Sequence, residues 1–145
     1  MRFRYRIISN GVGANMPHHF EFDFQHKILL TVMEGEIEGA EIQTIDQDMR
    51  ARVVRMQPVA GISDLTGVTN FNVPGEIMRL AALQPPPFPS QTPRFIVAQT
   101  DFLYGMSRMY ELVADRAQGK LQVVRTREEA LSALGISNPK FEPID

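Results

Sequence analysis

Apolar and polar residues alternate with a period of two near the start of the chain and with a helical period further along it. Phenylalanines alternate with acidic residues over 20–24, which predicts a strand, and residues 28–33 predict a second, nearly continuous apolar strand. The turn at 25–27 is too short for a parallel crossover, so the two strands must pair antiparallel. Gly35 is expected to end the second strand.

The remaining chain alternates between helical and strand patterns. The predicted elements are a helix over 38–54, a strand over 59–63, a helix from about 72–74, a strand over 94–98, a helix over about 101–118, a strand over 121–124 and a helix over 126–135. Residues 85–93 hold five prolines and predict an extended connector.

The second and third helices carry apolar stripes that we expect to be buried. These stripes are Ile77, Leu80 and Ala81 in the second helix, and Phe102, Met106, Met109, Tyr110 and Val113 in the third. Thr100 is the expected N-cap of the third helix, and Gly119 stands where a C-terminal cap belongs. Residues 126–129 have the pattern of a capping box that opens the last helix.

This order predicts an α/β fold with a single mixed, mostly parallel five-stranded sheet and about four helices. The N-terminal hairpin supplies the one antiparallel strand. We expect an N-terminal arm over 1–15, one domain over 16–135 and a loose tail over 136–145. The arm alternates arginine with apolar residues, so it could extend a sheet edge; alternatively, translation begins at Met16 and the arm is absent from the native protein.

Composition narrows the classes of function. The chain has 145 residues, 43% of them apolar, a net charge of −2 and no cysteine. The balanced charge argues against a nucleic-acid partner, and the lack of cysteine excludes disulfides and thiolate metal sites. No apolar run approaches the roughly 18 residues of a membrane span, so we expect no membrane span and a cytoplasmic location.

Three motifs in order resemble those of the SpoIIAA-like (STAS/SEC14-type) family. Residues 64–75 (DLTGVTNFNVPG) are similar to the STAS signature, in which Asp-Leu-Ser-Gly-Val-Thr precedes an Asp-Ser-Ser-Gly turn into a helix. Residues 104–111 (YGMSRMYE) and 123–131 (VVRTREEAL) resemble two further elements of the subfamily, and the likeness covers about residues 17–135. The resemblance implies a non-enzymatic binding or regulatory module with a protein partner or a homodimeric state. Its SEC14-type side implies, as the alternative, a carrier or sensor of a lipid or other small hydrophobic ligand.

The chain departs from the STAS pattern at the serine that is phosphorylated in anti-sigma-factor antagonists of that family. Val73 occupies that position, between Asn72 and Pro74. Valine has no hydroxyl, so the phosphate-charge switch cannot operate there. Thr66 and Thr69 lie nearby and could be modified, although capping of loop backbone groups is the plainer interpretation of both.

The residues predict neither a catalytic site nor a metal site, and we expect no cofactor. The adjacent His18 and His19 point to opposite faces of a strand and cannot easily hold one ion. The acidic residues between 34 and 41 lack the spacing of a calcium loop. The chain contains no G-x-S-x-G elbow, G-x-G-x-x-G motif or P-loop.

The candidate ligand or partner site is the rim beyond the carboxyl ends of the parallel strands, where open sheets bind their ligands. It comprises Asp64, Thr66, Asn72, Gln99, Thr100, Asp101, Tyr104, Arg108 and Arg125. Tyr104 and Arg108 lie one helical turn apart and could pair or face a partner, whereas helix capping alone would explain Thr100 and Asp101.

An apolar cavity is the second candidate site. Its expected lining is Phe88, Phe95, Phe102 and some of the eight methionines. The same side chains would also fill an ordinary core, and the shortness of the chain favours a filled core.

Overall fold

The protein folds around one mixed sheet of six strands, with four helices among the residues that the computed structural model describes, 17–115 and 120–145. The elements are β1 (His18–Asp23), β2 (Ile28–Glu38), α1 (Gly39–Met56), β3 (Ala60–Asn72), α2 (Gly75–Leu83), β4 (Arg94–Val97), α3 (Asp101–Asp115), β5 (Leu121–Val124), α4 (Arg127–Ala133) and β6 (Glu142–Ile144). The predicted α/β class is confirmed. The arm over 1–15 and the predicted cap at Gly119 lie outside the described residues.

The strand order is β5-β4-β3-β2-β1-β6. Strands β2 to β5 pair in parallel, and β1 pairs antiparallel with β2 on one side and with β6 on the other. The hairpin therefore supplies the single strand that runs against the others, as predicted. Each strand–helix–strand step moves to the neighbouring strand, which places successive crossover helices side by side.

The two faces of the sheet pack against different helices. On one face, Leu30, Ile62 and Val97 pack against Ala130 and Leu131 of α4. On the other face, Leu29 packs against Val53 of α1, and Leu65 packs against Leu103 of α3. Helix α2 packs on α3 and on α1 and makes few contacts with the sheet, so a space remains beneath it.

Strands β2 and β3 continue well beyond the rest of the sheet. Pairing between β3 and β4 stops at Asp64 opposite Val97, whereas β2 and β3 stay paired as far as Glu38 opposite Asn72. The predicted strand end at Gly35 is therefore wrong. Gly35 has a φ of +72° beside a register shift, and glycine takes this left-handed conformation without steric cost, so the strand bulges there and continues.

The last residues are ordered against the body of the domain, whereas the sequence predicted a loose tail. Strand β6 pairs with β1, and Phe141 packs on the α4 face. The backbone carbonyl of Asp145 accepts hydrogen bonds from Arg52 Nε and Arg55 Nη2 at 2.8 and 3.0 Å. A three-residue strand containing a proline carries no readable periodicity, which is why the sequence did not reveal it.

Two predicted helix faces are right only in part: Ala81 in α2 and Met106, Tyr110 and Val113 in α3 are half-buried as predicted, but the other predicted residues are exposed. In α2, Ile77, Leu80 and Leu83 point outward, and Ala82 is the buried residue. In α3, Phe102 and Met109 are 61% and 63% exposed. The most deeply buried side chains of α3 are Leu103, Ser107, Glu111 and Ala114. Large apolar residues lie on both sides of these helices, so periodicity alone could not identify the inner face.

The predicted caps at the helix N-termini are confirmed. Thr100 Oγ1 accepts a hydrogen bond from the Leu103 backbone N–H at 3.2 Å. Thr126 and Glu129 exchange the reciprocal hydrogen bonds of a capping box. In the part of the chain that the structure describes, no helix is both long enough and apolar enough to span a membrane.

Candidate ligand-binding cavity

Five of the predicted rim residues come together around Arg125. Its Nη1 donates to the Gln99 carbonyl at 3.1 Å and to Asp101 Oδ1 at 2.9 Å. Its guanidinium carbon lies 4.1 Å from the centre of the Tyr104 ring, a cation–π contact. Thr100 caps α3 beside them. The charges of this cluster are therefore paired within the chain, which ties the start of α3 to the end of β5.

The other rim residues lie in three separate places. Asp64 is buried on the α4 side of the sheet, and its Oδ1 accepts a hydrogen bond from the Thr66 backbone N–H. Asn72 Nδ2 donates to Glu38 Oε2 at 3.3 Å, at the far end of the β2–β3 extension. Arg108 Nη1 pairs with the carboxylate of Glu111 at 2.6 Å, whereas the Tyr104 ring lies against Arg125. Tyr104 and Arg108 therefore do not pair with each other, and the alternative that they face a partner stays a prediction.

Replacing Arg125 with glutamine is expected to lower the free energy of unfolding by less than about 1 kcal/mol. Its carboxylate partner, Asp101, is 97% exposed, so water screens the pair. Urea unfolding of the variant and the unmodified protein at one ionic strength measures the difference. A loss of about 3 kcal/mol or more would contradict this account of the cluster.

An apolar cavity of about 130 Å³ lies between the sheet and helices α1, α2 and α3. The sheet side is formed by residues such as Gly61, Ser63, Leu65 and Ile96, and Phe88 of the proline-rich connector also lines the cavity. The helices contribute Ile42, Ile45, Met78, Ala81, Met106 and Tyr110. The cavity exists because α2 rests mainly on the neighbouring helices and makes few contacts with the sheet, among them that of Ala82 with Leu121.

Phe88 contributes its ring to the cavity wall because β3 has a glycine beneath it. A Cβ atom on Gly61 would lie 2.3 Å from the Phe88 ring, closer than real atoms approach. The absence of a side chain at Gly61 lets the proline-rich connector place this ring directly on the strand. The connector is thus part of the cavity wall as well as a link between α2 and β4.

The largely apolar wall includes three hydroxyl groups, those of Ser63, Ser107 and Tyr110, and the charged side chains of Asp46 and Arg94. Burial raises the pKa of Tyr110; Asp46 raises it further, and Arg94 and Arg50 oppose the shift. The phenol is therefore neutral at physiological pH and available as a hydrogen-bond donor.

An open groove between α1 and α2 leads to the cavity. Ile42, Asp46 and Ala81 line both spaces, so they mark the passage between them. Arg50 stands beside this passage: its Nε donates to Asp46 Oδ2 at 2.7 Å, and its Nη atoms donate to the carbonyls of Pro85 and Pro86. These bonds fasten the connector to α1 next to the entrance.

The sequence predicted the lining only in part. Phe88 and Phe95 line the cavity, whereas Phe102 lies on the outer surface of α3. Met33, Met49, Met78 and Met106 are the lining methionines. Sequence reasoning did not assign Ser107 and Tyr110 to a ligand site, although it placed Tyr110 on the buried stripe of α3; their signal is a pair of hydroxyl residues three positions apart on the inner side of that helix.

The histidines are placed as the strand pattern predicts. His18 is buried and shares a hydrogen bond with Asp48 at 2.9 Å, whereas His19 is exposed and contacts Glu21. Within residues 17–115 and 120–145, the structure contains no group of three or more His, Cys, Asp or Glu side chains that could hold a metal ion. Thr66 and Thr69 are both exposed.

No protein-family model matches the chain, and no curated protein matches it by sequence.

Proposed function

We propose that this protein is a non-enzymatic binding module that takes a small hydrophobic ligand into the cavity beneath α2. The observation that carries the proposal is an apolar space of about 130 Å³ with a side passage to the surface. An engineered apolar cavity of about 150 Å³ in another protein stays dry and binds benzene. The space beneath α2 is in the same range of size.

The volume favours a compact ligand over a complete lipid. Pockets for drug-sized ligands occupy about 300–1,000 Å³, several times the volume found here. A single ring or a short branched chain fits about 130 Å³, whereas a complete phospholipid does not. The proposal therefore narrows the lipid-carrier alternative to a small hydrophobic molecule, or to one short segment of a longer one.

The methionines that line the cavity favour a space that binds a ligand over a space that side chains fill permanently. Four thioether side chains reach the cavity from β2, α1, α2 and α3. Methionine is unbranched and polarisable, so it adapts to ligands of different outline more readily than a β-branched side chain. None of the three histidines lines the cavity, so its serines have no imidazole base beside them.

The likeness to STAS domains supports a regulatory use of this binding. In that family the phosphorylated serine precedes the helix that corresponds to α2. Here the position is the buried Val73, and the cavity lies beneath the same helix. A bound ligand would contact α2 from the side that faces the sheet, whereas in the STAS family a phosphate acts at the N-terminus of the corresponding helix.

Methyl NMR of protein labelled at the methionine Cε, titrated with benzene, tests the proposal. We expect the signals of Met33, Met49, Met78 and Met106 to shift with saturation, because their side chains line the cavity. The exposed Met109, which does not line the cavity, serves as the internal control. Equal shifts at all methionines, or none at the four, would contradict the proposal.

A cavity-filling variant provides the second arm of this test. Ala81→Phe places a ring at the entrance, and Ala51→Phe places the same ring on the exposed side of α1. Affinity for benzene should fall at least about tenfold in the first variant and stay unchanged in the second. Unchanged affinity in Ala81→Phe would place the ligand elsewhere.

A further inference from the structure

The ligand-facing hydroxyls of α3 point to the chemical class of the ligand. We infer that the ligand carries one neutral hydrogen-bonding group, a hydroxyl or a carbonyl, on an otherwise apolar body, and that Ser107 and Tyr110 recognise this group. The inference rests on the proposed function, because it concerns the same cavity.

The first argument is position. Ser107 and Tyr110 lie three residues apart on α3, so their side chains lie on one side of the helix, and both line the cavity. Ser107 is only 5% exposed. One polar group of a ligand between them could bond to both hydroxyls at once.

The second argument is hydrogen bonding. Among residues 17–115 and 120–145, neither hydroxyl forms a hydrogen bond with another side chain or with the backbone. Neither oxygen is sealed from solvent, because the buried side-chain polar atom without a partner in the described part of the chain is His18 Nδ1. The two hydroxyls are therefore accessible, and a polar group on a ligand could supply a partner to each.

The third argument is the complementarity of donors and acceptors. The neutral Tyr110 phenol is a donor to an oxygen of the ligand, and the Ser107 hydroxyl can donate or accept. A ligand hydroxyl would use both bonds and a ligand carbonyl would accept one or two. A pure hydrocarbon would use neither, so it would leave both groups unpaired.

Phenol and toluene form the matched pair of probes, since they differ only in a hydroxyl that replaces a methyl. We expect Tyr110→Phe to weaken phenol binding about five- to tenfold, the loss of about one net hydrogen bond, and to leave toluene within about twofold. Ser107→Ala should act in the same direction. Tyr104→Phe is the control, because that ring stacks on Arg125 outside the cavity.

The outcomes separate the two proposals. If both probes bind and the two variants change their affinities alike, polar recognition by α3 is overturned, while the cavity remains a binding site. If toluene and phenol both fail to shift the four lining methionines of the unmodified protein, the proposed function fails and this inference fails with it. The methionine spectrum without ligand reports whether each variant is folded.

Discussion

Replacing Asp64 with alanine is expected to lower the free energy of unfolding by about 3 kcal/mol. Asp64 is 3% exposed, and its Oδ2 accepts from Arg127 Nη2 and Nε at 2.6 and 3.0 Å. Its Oδ1 also accepts from the Thr66 backbone N–H at 2.9 Å. Removing the carboxylate leaves these donors without their partner at the junction of β3 and α4. Urea unfolding, with the slope checked for constancy, measures the loss.

Asp101→Ala is the matched control for this change. Asp101 also pairs with an arginine, at 2.9 Å, but is almost fully exposed. Its removal should cost less than about 1 kcal/mol because water replaces the lost bond. Equal losses in the two variants would show that burial does not govern the strength of these pairs, and the account of Asp64 would then be wrong.

Asp23→Asn is expected to have an effect of similar size, also about 3 kcal/mol. The Asp23 side chain is 1% exposed and accepts four hydrogen bonds. They come from the backbone N–H groups of Gln25, His26 and Lys140 and from His26 Nδ1, at 2.8 to 3.1 Å. Asparagine keeps the shape but turns one acceptor into a donor, which then faces another donor.

The effect of Asp23→Asn depends on pH. Burial alone would raise the pKa of Asp23, but the hydrogen bonds from His26 and Lys140, with the charge of His26, together hold it below its ordinary value. Because the folded-state pKa is the lower one, the stabilisation is complete above the unfolded-state pKa of about 4 and is lost as pH falls through the folded-state value.

Unfolding free energies at about pH 6 and at progressively lower pH, down to about pH 2.5, check this sign. The difference between the unmodified protein and Asp23→Asn should be largest at the higher pH and should shrink on acidification. A difference that stays constant down to the lowest pH, or grows, would contradict the assignment of a lowered pKa to Asp23.

The sequence predicted those parts of the fold that depend on neighbouring residues. The short turn over 25–27 dictates the antiparallel hairpin, and the cap at Thr126 depends only on the residues of the next helical turn. The continuation of β2 past Gly35 depends on a partner more than thirty residues away in β3. A single sequence carries no local signal for such pairing.

The two candidate sites, the cluster around Arg125 and the cavity, also differ in how far the sequence could predict them. The cluster around Arg125 could be predicted because the ends of parallel strands and the starts of helices meet at one edge of the sheet. The cavity could not, because it depends on how far α2 stands from the sheet. In α2, small residues such as Ala81 face inward and large ones such as Leu80 face outward, which is the reverse of the usual pattern in a helix that packs on a sheet.

Strand β6 has a consequence for association between copies of the chain. An uncovered β1 would offer the backbone groups of an apolar strand to any neighbouring molecule. β6 covers positions 20–22 of β1 and is itself only three residues long. Its central residue, Pro143, has no N–H to donate to a further strand. β6 therefore limits edge-to-edge association of the sheet with other molecules, in addition to the stability that its pairing with β1 contributes.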